Sequence, residues 1–176
     1  MKKVFLTTVV ALLSAVLGFA QESEIRVPGG YQGFFEEGNL FHFDGESSVN
    51  LSTTHGFYFG GKTFVGVGFG AEFNNDYILV PFYTAVKYIA CNKKSVSPVF
   101  HVRLGSYLGH GQGAYADGAV GVRFATAKDF ALSILVGATY YDKFEGDDYW
   151  VPETSSYVSE GDIDFSGLSV RFGIEW

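Results

Sequence analysis

The sequence predicts an all-β protein, a closed eight-stranded antiparallel up-and-down β-barrel that crosses a membrane, and three observations carry that expectation. First, the last eleven residues alternate strictly. Leu168, Val170, Phe172, Ile174 and Trp176 share one parity, and Gly167, Ser169, Arg171, Gly173 and Glu175 share the other. Alternation at period two marks a strand with one apolar face. A second face of arginine, glutamate and glycine suits a barrel whose outside meets lipid and whose inside is polar. Second, Lys2 and Lys3 precede an apolar stretch from Val9 to Gly18, and Gly18-Phe19-Ala20 follows as a cleavage site. That is the pattern of a secretory signal peptide cut after Ala20, and the stretch falls short of the roughly 20 residues of a spanning helix. Residues 1–20 are read as this leader and 21–176 as one outer-membrane barrel domain. Third, the chain holds 18 Phe, 11 Tyr and 23 Gly but only 4 Pro, which suits short alternating strands in an all-β chain.

The strands follow in order. The first, about 30–42, alternates poorly, so its register stays open. The second, about 48–59, puts Val49, Leu51, Phe57 and Phe59 on one side, and Gly60-Gly61-Lys62 closes a tight hairpin, two glycines accepting the positive φ of such turns. The third, about 63–73, faces Val65, Val67, Phe69, Ala71 and Phe73 outward and Phe64, Gly66, Gly68, Gly70 and Glu72 inward. The fourth, about 77–90, carries Pro81 in its middle, where a bulge or a missing ladder bond is expected. The fifth, about 99–107, points His101, Arg103 and Tyr107 inward. A connection through Gly109–Gly113 leads to the sixth, about 114–124, with Tyr115, Asp117 and Arg123 inside and Val120, Val122 and Phe124 outside. The seventh spans about 130–141, and the eighth closes the barrel over 163–176. With both termini at one end, Lys62, Lys93, Lys94 and Lys128 fall in turns on the periplasmic side, and the long segment 142–162 falls outside the cell.

Net charge is -7, or -9 once Lys2 and Lys3 leave with the leader. The excess is concentrated in 142–162, where seven acids (Asp142, Glu145, Asp147, Asp148, Glu153, Glu160 and Asp162) stand against Lys143 alone. Nucleic acid is excluded as a partner of such a surface. Cys91 is the single cysteine, so no internal disulfide forms and no lipid-modified cysteine follows the leader.

Parity assigns a charged lumen: Lys87, Arg103, Arg123 and Arg171 against Glu36, Glu72, Asp117 and Glu175, with His101 among them. Charges inside so narrow a barrel need partners, and eight strands enclose only enough room for side chains to fill. A paired lattice is therefore expected, with Asp117 or Glu72 as the partner of Arg123. The alternative is a narrow channel for ions or small solutes through the same lattice. No metal-ligand spacing, cofactor motif or catalytic residue is assigned. The nearest approach to an enzyme of outer-leaflet lipid is His42 with Asp44, Ser47 and Ser48 in the first outer loop. Segment 142–162 is the better functional candidate. Its Tyr149, Trp150 and Tyr157 are aromatics on a loop held by a rigid scaffold, as recognition surfaces are, and its carboxylates suggest Ca²⁺ or Mg²⁺ without EF-hand spacing.

Several stretches together resemble the small outer-membrane β-barrel proteins common in Bacteroidetes, relatives in architecture of OmpA and OmpX. They are Gly30-Tyr31-x-Gly33-Phe34, Thr53-Thr54-His55-Gly56-Phe57, Gly66-x-Gly68-x-Gly70, Val80-Pro81-Phe82, Ser97-Pro98-x-Phe100, Gly121-Val122-Arg123-Phe124 and the final Arg171-Phe172-Gly173-Ile174-Glu175-Trp176. The resemblance spans residues 30–176 and implies an integral barrel, not an activity. The expected role is structural or surface-interacting, as a monomer in the cell outer membrane. Its expected partners are outer-membrane lipid, the barrel assembly machinery acting on the strand that ends in Trp176, and an unknown extracellular partner. A secreted lipocalin-like carrier is disfavoured, because its apolar faces would have to turn inward.

Overall fold

The computed structural model describes residues 29–43, 45–74, 78–91, 95–109, 111–127, 130–142, 149–151, 156–158 and 166–176. The expected leader, together with Asp44, Lys93, Lys94, His110, Lys128 and most of segment 142–162, lies outside the described residues. The strands are β1 (Gly30–His42), β2 (Ser47–Phe59), β3 (Thr63–Phe73), β4 (Ile78–Ile89), β5 (Val96–Gly109), β6 (Gly111–Ala127), β7 (Phe130–Tyr141), β8 (Tyr149–Val151), β9 (Ser156–Val158) and β10 (Gly167–Glu175). Eight of them close a barrel in the order β1-β10-β7-β6-β5-β4-β3-β2, with every neighbouring pair antiparallel. The fold is the expected up-and-down barrel.

Each strand's alternation now has a spatial meaning. Val67, Leu104, Val120 and Val136 are each more than half exposed on the outer wall, while Glu72, Lys87, Arg103 and Leu135 are almost fully covered inside. A contiguous apolar exterior of this extent is not a surface that water tolerates. Glycines at 60 and 61 adopt φ of +59° and +67°, the two positive values of a type I′ hairpin. Pro81 acts as its missing N–H requires. The β3–β4 ladder passes from Phe69↔Phe82 to Glu72↔Leu79 with no partner between, while Pro81 still pairs with Tyr107 on its other side.

Four details depart from the sequence reading. In β1 the alternation becomes regular from Phe34 onward, with Phe34, Glu36, Leu40 and His42 inside; both faces mix apolar and polar groups, which obscures it in the sequence. Gly33 has outward parity yet is covered, since the Trp176 indole lies across it and a Cβ there would meet the ring at 2.9 Å. The glycine-rich connection between β5 and β6 is almost entirely strand. Tyr107 pairs with Gly113 and Gly109 with Gly111, glycine at 113 leaving space for the Tyr107 ring. Phe124 keeps its outward parity, paired with the exposed Leu132, yet is only 9% exposed itself; the register shift between Ala125 and Ala127 follows immediately after it, where a bulge bends the strand.

The segment between β7 and β10 also carries structure of its own. Charge repulsion favours an extended loop, but β8 and β9 pair antiparallel with Trp150 opposite Tyr157. Tyr-Trp-Val and Ser-Tyr-Val are β-prone triplets separated by Pro152-Glu153-Thr154-Ser155, a turn-forming composition. The side chains of Tyr149, Trp150 and Tyr157 lie outside the described residues.

Candidate functional site: the charged lumen

The barrel interior is built in levels along its axis. At the end where β1 begins and β10 finishes, Phe34, Tyr58, Phe64, Ile89 and Val99 form an apolar cluster. Toward the opposite end, Leu40, Leu79, Tyr83, Tyr107, Tyr115 and Tyr141 form a second. The charged residues lie among and between these layers, in three levels that each hold at least one acid.

Glu175 serves the level nearest the termini. It sits one residue from the C-terminus on β10, whose other edge pairs with β7. Arg123 on β6 grips it with Nε 3.0 Å from Oε2 and Nη2 2.9 Å from Oε1. The paired, two-atom contact is the stronger form of a guanidinium–carboxylate bond. Lys87 Nζ stands 3.3 Å from Oε2 and also lies over the Phe34 ring, and the Tyr58 hydroxyl donates to Oε1 at 3.1 Å. The expected partner of Arg123, Asp117 or Glu72, is therefore corrected to Glu175. Depth explains it: Arg123 and Glu175 both lie near the termini end of their strands, whereas Asp117 and Glu72 lie farther along the axis. Counting residues from each turn would have found this pair, because charges meet only at equal depth.

The middle level has two acids and two guanidinium groups. Arg103 Nη2 contacts Glu36 Oε2, and Arg171 Nη1 is 2.9 Å from Asp117 Oδ1. Thr139 donates to Asp117 Oδ2 at 2.9 Å, and Arg103 donates to Ser52 at 3.3 Å while stacking over Tyr83. His101, fully buried, places Nδ1 3.4 Å from Glu36 Oε1. A cavity of about 10 Å³ remains here, lined by Glu72, Arg103, Tyr115, Asp117, Tyr141 and Arg171, about the space of one water.

The third level differs in kind. Its acid, Glu72, is met by a tyrosine, a serine and a histidine. Tyr141 donates to its Oε2 at 2.5 Å and Ser48 to its Oε1 at 2.8 Å, with His42 Nε2 2.9 Å from the Ser48 oxygen and 3.4 Å from the carboxylate. His42 is thus a buried lumen residue and not a loop residue. Of the loop set, Ser48 joins it, Ser47 is exposed, and Asp44 is outside the described residues. Because the Ser48 proton is directed to Glu72, His42 meets that oxygen as a donor, the reverse of a base activating a nucleophile. Parity missed His42 only because the register of β1 was open. Among the described residues no group of three or more potential metal ligands comes together.

The outer surface completes the picture. Leu168, Val170, Phe172, Ile174 and Trp176 line the exterior of β10. Trp176 exchanges backbone hydrogen bonds of 2.9 and 3.1 Å with Gly33, sealing β10 to β1 beyond the last residue of the strand.

No protein-family model matches this chain, and no curated protein matches it. Solved structures do. The chain superposes on the crystal structure of Neisserial surface protein A (NspA) with a TM-score of 0.61 at 12% identity, covering 84% of this chain and 95% of that one. It superposes on the N-terminal β-barrel domain of Pseudomonas aeruginosa OprF with a TM-score of 0.54 at 9% identity, covering 85% and 100%. At such low identity the likeness is one of fold: eight-stranded barrels of this size and closure.

Proposed function

We propose that this chain is an integral outer-membrane β-barrel with a structural or surface-interaction role, displaying segment 142–162 as an acidic, aromatic extracellular loop. The observation that carries this reading is inverted polarity. The outer wall is apolar and exposed, and the inner wall holds four acids matched by four strong bases. Lipid is the solvent in which that arrangement is favourable, because a closed barrel satisfies every backbone group without an edge. The fold shared with NspA and the OprF barrel domain supports an outer-membrane location. In that setting the termini and the 60–62 turn face the periplasm, and the assembly machinery receives the β10 strand. The lumen argues for a plug over a channel, since the cavity among Glu72, Arg103, Asp117 and Arg171 has room for about one water.

The test is migration on a denaturing gel of detergent-extracted protein, unboiled beside boiled. A closed barrel runs at two mobilities and is found in the membrane fraction. A single mobility, with the protein in the soluble fraction, overturns the reading.

A further inference from the structure

The two ends of the barrel carry opposite charge. At the far end the connections 43–46, 74–77 and 142–166 hold eleven acids against Lys143 alone. The end where β1 begins and β10 finishes is served by three turns: 60–62 between β2 and β3, 90–95 between β4 and β5, and 128–129 between β6 and β7. They hold Lys62, Lys93, Lys94 and Lys128, with Asp129 as their one acid. When Glu22, Glu24 and Arg26 of the segment leading into β1 are counted too, five bases face three acids.

The three turns are stitched side by side. Ile89 N, at the end of β4, donates to the Lys62 carbonyl at 2.8 Å, and Ala125 N, near the end of β6, donates to the Ser95 carbonyl at 2.7 Å. Cys91 and Ser95 bracket Lys93 and Lys94, and Ala127 and Phe130 bracket Lys128. Chain connectivity therefore keeps the four lysines on one arc of the rim, with neighbouring turns two strand spacings, about 10 Å, apart.

Depth selects what this arc can meet. Phe59 precedes the first turn, Tyr88 and Phe100 pair across the second hairpin, and Phe130 follows the third; all four are exposed on the outer wall. Aromatic girdles of this kind mark the boundary between hydrocarbon and headgroups. The headgroup layer beyond it is about 5–8 Å deep, and a lysine's four-carbon stem reaches about 6 Å. On turns this short the ammonium groups lie at headgroup level, and a polymer deeper in the periplasm is out of their range.

We infer that this basic arc is a binding surface for anionic phospholipid headgroups of the periplasmic leaflet. Each ammonium offers three donors to phosphate oxygens, and a basic residue beside an anionic leaflet is worth about fivefold in association. The acid-rich far end repels the same lipids, so the enrichment belongs to one leaflet. This inference rests on the membrane reading above and adds to it a lipid class and a side.

The test uses the full chain in phosphatidylcholine vesicles with trace phosphatidylglycerol or phosphatidylcholine, each nitroxide-labelled on an acyl chain, and reads the motionally restricted fraction of each lipid. Only vesicle-bound, heat-modifiable protein is scored, so a failure to insert counts against the membrane reading and is seen separately. Phosphatidylglycerol is expected to be enriched about two- to fivefold over phosphatidylcholine at about 0.01 M salt. The preference should vanish at about 1 M, where the screening length falls from about 30 Å to about 3 Å. Combining Lys62→Gln, Lys93→Gln, Lys94→Gln and Lys128→Gln should bring the two lipids to parity, while Lys143→Gln at the far end should keep the preference. Should the fourfold variant fail to fold, the salt series on the unaltered chain still decides. Equal restriction of the two lipids at low salt, a preference indifferent to salt, or one retained by a folded fourfold variant would each overturn the inference. So would retention on purified peptidoglycan that depends on these lysines in protein showing no lipid preference.

Discussion

Glu175 is the residue whose loss the lumen should tolerate least. Lys87 and Arg123, 1% and 3% exposed, both lean on this one carboxylate. Glu175→Gln conserves shape but leaves two buried cations beside each other with no anion. Breaking a buried pair by removing one partner costs about 3–5 kcal/mol, and with two cations stranded the upper end applies, about 5 kcal/mol. Arg123→Ala is milder, because Glu175 keeps Lys87 and Tyr58 and the level becomes charge-balanced; about 2–3 kcal/mol is expected. For a chain of this length each kcal/mol moves a thermal midpoint by about 2–4 °C, so the midpoint should fall by about 10–20 °C for Glu175→Gln and about 4–12 °C for Arg123→Ala. The assay is the temperature at which detergent-extracted protein shifts from folded to unfolded mobility. Combining Glu175→Gln with Lys87→Met, which removes one stranded cation, should recover part of the loss. Were Arg123→Ala as damaging as Glu175→Gln, or the double variant no better than the single, the assignment of one acid to two cations would be refuted.

Four further outcomes are expected. Deleting Trp176 removes both backbone bonds to Gly33 and should lower the amount of inserted protein while export continues; normal levels of inserted protein would contradict this. Gly33→Val drives a side chain into the Trp176 ring and should lower the heat-modification midpoint in otherwise intact chain, whereas an unchanged midpoint would mean the indole does not seal the seam. Purified protein in planar bilayers should show no steady conductance, given a lumen cavity of about one water; regular unitary steps would restore the channel reading. Replacing 143–161 with a short Gly-Ser turn should leave the barrel heat-modifiable and abolish any cell-surface binding that the intact protein mediates, and survival of that binding would place the active surface elsewhere on the rim.

Most of the barrel was written in local pattern. Alternation, turn glycines and strand length are properties of neighbouring residues, so β3, β4, β7 and β10 and their inner and outer faces are legible in the sequence alone. What local pattern lacks is depth and closure. Parity says that Arg123 and Glu175 both point inward, but only the stagger of the closed sheet sets them at one level and puts Asp117 at another. Likewise His42 could be read as a loop residue until β1 was pinned between β2 and β10. Its ring then turned into the lumen beside Ser48 and Glu72. The same register put Glu37 among Leu51 and Phe172 on the outer wall. Side-chain direction repeats every two residues and is a local fact, whereas contact across a barrel depends on where seven other strands end.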